Sequence, residues 1–175
     1  MKIKKYVNSN FASSEYVKVY LDDYETYGEL MKILDSLACN DEMSKIIFDD
    51  KEFTKEIEVF VFCSNDLPIF DPKSRNIIIL NNGMFIKNDV FYNDLDSLSY
   101  IVKMDYENGG MNPNYAESPK KVLFIVSDSK TKKIASVKFM LNEITDAFDK
   151  LKMKEDLIIL LAYNVNEPPP PPPPN

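Results

Sequence analysis

The chain has 175 residues, 45% apolar and 28% charged, which suits one compact domain or two small intertwined halves. Its formal net charge is -7, and its single Arg and its many Lys are interleaved with acids. The basic stripe that phosphate-backbone binding needs is missing, so no nucleic acid partner is expected. The chain contains no His and only four Gly. That removes Ser-His and Cys-His nucleophile pairs, imidazole acid-base chemistry and His metal ligands, and leaves little material for a phosphate cradle.

The opening MKIKKY carries the charge of a signal peptide's first segment, but the residues after it are polar, and no export signal is expected. No stretch reaches the roughly 20 apolar residues of a membrane span. Residues 16–21 (YVKVYL) alternate as a half-buried strand does. Asp22 and Asp23 offer helix starts, and Tyr27, Leu30, Met31, Leu34 and Leu37 recur at spacings of three and four. The spacing predicts an amphipathic helix that ends at Asn40 and Asp41. A short run at 45–48 follows, then an apolar strand at 57–62 (IEVFVF), so the first third reads β-α-β.

Residues 64–73 hold Asn65, Asp66, Pro68, Asp71 and Pro72, all turn formers, and mark a boundary. Strands at 76–80 and 84–86 flank Asn82–Gly83, the dipeptide that favours a tight type I′ turn. A second turn at 87–89 leads to a strand at 90–92, completing a short meander. Asp94 is expected to cap a helix through Leu95, Leu98, Ile101 and Val102. Residues 121–126 (KVLFIV) form the next strand. Ile134, Val137, Leu141, Ile144, Phe148 and Leu151 then give the cleanest helical stripe in the chain. Leu157, Ile158, Ile159, Leu160, Leu161, Ala162 and Tyr163 form the last strand, and seven consecutive prolines follow at 168–174. Proline lacks a backbone donor and favours polyproline II, so the tail reads as a ligand for an aromatic groove, a stiff spacer or a terminus with no partner.

The expected fold class is α+β, with small mixed sheets and amphipathic helices packed on one face. The domain reading is a β-α-β half over 1–67, an α+β half over 68–166 and a polyproline tail over 167–175. The halves share a strand, polar turn, helix and strand order, which fits either a duplication or the common β-α-β plan.

Candidate chemistry is sparse. Asp22–Asp23 and Asp49–Asp50 are paired carboxylates that could serve as ligands, and both read as solvated turns or caps. Residues 130–133 (KTKK) read as a solvated turn. Cys39 and Cys63 lie in or beside apolar runs and are compatible with small buried hydrophobes or with one disulfide. No catalytic residue, cofactor or metal site is expected, and a non-enzymatic binding module follows.

The run IIILNNGMFIKNDVFYNDLDSLSYIV, continued by NPNYAESPKKVLFIVSDSKTKKIASVKFMLNEITDAFDKLK, resembles the periplasmic domain of the ExbD/TolR biopolymer-transport family, especially the Bacteroidetes type. The likeness spans about residues 76–163, and Asn142, Glu143, Ala147, Phe148 and Leu151 match its helix motif. The resemblance implies a periplasmic homodimer working with ExbB-like and TonB-like protein partners, without catalysis, to couple the proton-motive force to outer-membrane transport. The family's membrane helix has no counterpart in this sequence, and residues 1–70 lie outside the likeness. Strand addition at an open sheet edge is the expected mode of binding, either at Leu157–Tyr163 or at the meander of residues 76–92. Two other readings stand beside it: a cytoplasmic acidic adaptor, phage or immunity-type protein, and an enzyme using clustered Asp, Glu and Lys side chains.

Overall fold

In a computed structural model, the structure describes residues 2–7, 15–66 and 71–163. The polyproline tail lies outside the described residues. The chain forms β1 (Lys2–Tyr6), β2 (Tyr16–Tyr20), α1 (Tyr27–Cys39), β3 (Met43–Asp50), β4 (Phe53–Phe60), β5 (Ile77–Asn81), β6 (Met84–Lys87), β7 (Val90–Tyr92), α2 (Leu98–Glu107), β8 (Leu123–Asp128), α3 (Ile134–Leu151) and β9 (Ile159–Tyr163).

The fold is α+β, but its strands join one mixed sheet in the order β2-β3-β4-β9-β8-β5-β6-β7, with β1 also on β4. β1 and β9 share that strand: β1 pairs parallel with residues 53–57, and β9 takes Val59 and Phe60. The expected boundary near residue 67 is therefore spanned by sheet and core alike. Side chains alternate across a strand, and Val19, Ile46, Ile57, Ile78, Leu80, Phe124, Val126, Ile159 and Leu161 point to one face. There they bury against Leu30 and Leu34 of α1, Leu98 and Val102 of α2, and Val137, Leu141 and Ile144 of α3.

Helix starts follow local chemistry. Thr26, not Asp22 or Asp23, caps α1: its side chain accepts from Glu29 N (3.3 Å), and Glu29 Oε2 accepts from Thr26 N (3.1 Å). This reciprocal Thr-x-x-Glu pattern satisfies two otherwise orphaned donors. Asp94 Oδ1 instead accepts from Asp96 N (3.0 Å), closing a turn that delays α2 to Leu98. α3 occupies the predicted stripe and ends at Lys152, in the left-handed region with φ 52.

The two strand-to-helix loops are laced together. Tyr27 N donates to Lys132 O (2.8 Å), Gly28 N to Lys130 O (2.9 Å) and Ile134 N to Glu25 O (2.9 Å). A Cβ on residue 28 would lie 2.8 Å from Lys130 O, so this approach requires glycine.

Two buried lysines pin the layers. Lys55 Nζ donates to Asn142 Oδ1 (2.7 Å), Thr145 Oγ1 (2.9 Å) and Asp146 Oδ1 (2.6 Å) of α3. Lys87 Nζ meets Asp105 Oδ2 at 2.7 Å, while Ala116 N donates to Asp105 Oδ1 (2.8 Å). Cys39 and Cys63 form a disulfide across a Cα–Cα distance of 4.7 Å, tying the end of α1 to the chain beyond β4.

Candidate functional site: the open face of the sheet

Because the packed helices take one face of the sheet, the alternate side chains of each strand point away from the described helices. On β2, β3 and β4 this face carries paired charges around buried Ile47. Lys18 lies 3.9 Å from Glu56, Lys45 lies 3.5 Å from Glu58, and the Lys45 ammonium sits 4.6 Å from the Tyr16 ring centroid. Of these, Lys45 and Glu58 stand directly opposite each other, and a facing pair of opposite charges stabilises a sheet modestly.

Beyond β4 the same face becomes apolar. Registered cross-strand neighbours run Phe60–Leu160, Leu160–Ile125, Ile125–Ile79, Ile79–Ile86 and Ile86–Phe91, an unbroken row over six strands. Ile77 and Leu123 flank it on one side. Leu160 and Leu123 are buried and Phe60, Ile125, Ile79 and Ile86 are half-buried, so the row reaches solvent fully only at Phe91.

The row ends on an edge. β7 closes the sheet path, and Phe91 is 73% exposed, Val90 53% and Met84 40%. Two tight turns put it there: Asn82–Gly83 with φ 49 and 77, and Asn88–Asp89 with φ 48 and 62, as type I′ turns demand. Lys87 and Val90 close the two-residue hairpin. By antiparallel alternation the N–H and C=O of Phe91 then point outward, to the unpaired edge. On the opposite side, Tyr92 stacks on Phe85 with centroids 4.3 Å apart, which fixes the strand against the core. Natural edges are commonly blunted by Lys or Pro, and β7 carries neither.

The expected edge at Leu157–Tyr163 requires correction. β9 lies between β4 and β8 and is no edge. Leu157, Ile159 and Leu161 belong to the core, and Tyr163 packs against it. Ile158, Leu160 and Ala162 alternate to the other side, so Leu160 joins the open-face row. The run is apolar because it is a central strand, and a central strand reads as a continuous apolar segment.

The carboxylate pairs are engaged locally. Asp22 accepts from Lys138 Nζ (2.7 Å), and Asp49 from Thr54 Oγ1 (2.7 Å). Burial works against ionisation of Asp50, but hydrogen bonding from Asn142 and the Lys55 ammonium outweigh it and hold the carboxyl below its usual range. Asp50, Lys55, Asp146 and Lys4 do line one cleft of about 220 Å³, a clustering that sequence reasoning missed. Lys55 is 1% exposed and its ammonium already has three acceptors from α3, a pinning geometry and not that of an available nucleophile. Asp35, Cys39 and Cys63 bring their ligand atoms within 4.8 Å of one another, but the two sulfurs are bonded together. In the 130–133 turn, Lys130 Nζ lies 4.7 Å from the Tyr163 ring centroid and Lys132 bonds Asn82 Oδ1. Among the described residues no helix is long and apolar enough to cross a membrane.

Compared with known proteins, the chain matches no family model, no curated protein and no solved structure.

Proposed function

We propose that this chain is a non-enzymatic protein-interaction module that receives an extended segment of a partner protein on β7 and the adjoining apolar face. The observation that carries the reading is β7, where exposed Phe91 ends the apolar row and the outward backbone groups have no strand partner among the described residues. Backbone pairing to Phe91 would supply registration, and packing on Ile86 and Ile79 the apolar contact. Burying a phenylalanine side chain contributes about 1.5–3 kcal/mol, enough to make Phe91 a dominant contact.

The likeness of residues 76–163 to the ExbD/TolR periplasmic domain supports the same reading and suggests ExbB-like and TonB-like partners. The Cys39–Cys63 bridge supports an oxidising compartment such as the periplasm, because disulfides persist there and are rare in the cytosol.

The test is selection of short random peptides on the immobilised chain, followed by affinity measurement against Phe91→Asp. Phe91 is exposed, so the substitution leaves the fold in place. Selected peptides should lose on the order of 30-fold in affinity, the scale of a hot-spot residue. Peptides that bind the variant as tightly as the parent would place the binding surface elsewhere.

A further inference from the structure

The three-residue edge strand is bracketed by acids. Asp89 stands in the turn before it, and Asp94 and Asp96 follow it, all exposed. None of the three forms a salt bridge with Lys or Arg among the described residues. Lys87 is buried against Asp105, and Lys132 bonds Asn82 Oδ1. Residues 88–102 contain no Lys or Arg. The docking edge therefore has an apolar centre and a rim of one sign.

Strand geometry turns this rim into a selectivity rule. A segment added beside β7 alternates its side chains between the two faces of the sheet. Residues on the open face meet Phe91 and the apolar row. Those on the other face stand beside Val90 and Tyr92, with exposed Asp89 before the strand and Asp94 and Asp96 after it. Apolar residues suit the first set and cations the second. An acidic segment would bring like charges together, which suppresses wrong partners more than it changes the apolar contact.

We infer that the partner segment is a basic strand, in which Lys or Arg alternates with apolar residues, and that Asp89, Asp94 and Asp96 select it. This rests on the docking role of β7 given above and adds the chemistry of the occupant. β7 of a second copy carries the same acidic rim, so β7-to-β7 pairing is disfavoured at this edge.

The probe is a short capped peptide alternating lysine and valine, compared with one alternating glutamate and valine, by fluorescence anisotropy at low and high salt. The lysine peptide should bind at least on the order of tenfold more tightly, with the advantage shrinking as salt screens the rim. The triple substitution Asp89→Asn, Asp94→Asn and Asp96→Asn should erase that advantage while leaving thermal stability unchanged. Phe91→Pro, which removes the outward N–H of an edge position where proline is tolerated, should abolish binding of both peptides. Equal binding of the two peptides, or an advantage that survives the triple substitution, overturns the charge rule while leaving β7 as the docking edge. Binding that survives Phe91→Pro overturns the edge itself. A lysine peptide that fails to bind at millimolar concentration overturns the basic-strand assignment, with the docking role then resting on the peptide selection.

Discussion

Replacing Lys87 with Met removes one half of a buried ion pair and leaves the other half in place. Asp105 is 0% exposed, with Lys87 Nζ at 2.7 Å and the Ala116 N–H as its remaining donor at 2.8 Å. Stranding a buried charge in this way costs about 3–5 kcal/mol. For a domain of this length that corresponds to a fall in melting temperature of roughly 10 °C. Burial raises the Asp105 pKa, and the Lys87 ammonium and the Ala116 N–H oppose that rise. Without Lys87 the carboxyl rises further and more readily takes a proton in the folded protein. A pKa raised on folding gives stability that is present below the unfolded value and is lost as pH rises through the folded value. The cost of Lys87→Met should therefore be full at neutral pH and shrink as the pH falls toward the ordinary Asp value of 3.8. Adding Asp105→Asn, which removes the charge and keeps an acceptor for Ala116, should restore most of the loss at neutral pH. The assay is urea unfolding followed by circular dichroism across that pH range. A single variant that loses less than about 1 kcal/mol at neutral pH, or a cost independent of pH, would refute the reasoning.

Gly28→Ala should destabilise the protein by about 1–3 kcal/mol, because the new methyl would meet Lys130 O at 2.8 Å and push apart the loops that open α1 and α3. A thermal melt within error of the parent would show that the two loops can separate without cost. Reducing the Cys39–Cys63 bridge, whose ends are 24 residues apart, should lower unfolding stability by about 3 kcal/mol through loop-closure entropy. Matching urea midpoints with and without reductant would contradict that.

Much of the secondary structure was legible because it rests on local pattern. α3 shows a stripe of spacings three and four, and the turns at Asn82–Gly83 and Asn88–Asp89 are set by residues that tolerate positive φ. The neighbours of each strand were not legible. The apolar run of β9 predicts a strand, but nothing local says that it lies between β4 and β8 and not at an edge. That long-range pairing sets Leu157–Tyr163 inside the sheet and leaves the last strand of the meander on the edge. The buried lysines did leave a signal. Lys55 shares strand parity with Ile57 and Val59, and Asp105 lies on the stripe of Leu98, Ile101 and Val102, so both stand at core positions. The open-face row was half visible, since alternation gives each strand's outward residues, but only the sheet order aligns Leu160, Ile125, Ile79, Ile86 and Phe91.

The most direct measurement of the docking role is hydrogen exchange at the Phe91 amide, by NMR, in the chain alone and with a selected peptide. The account predicts fast exchange in the free chain, as an unpaired outward N–H requires, and strong protection with peptide bound. An amide already protected in the monomer, or one whose exchange does not change on binding, would contradict it.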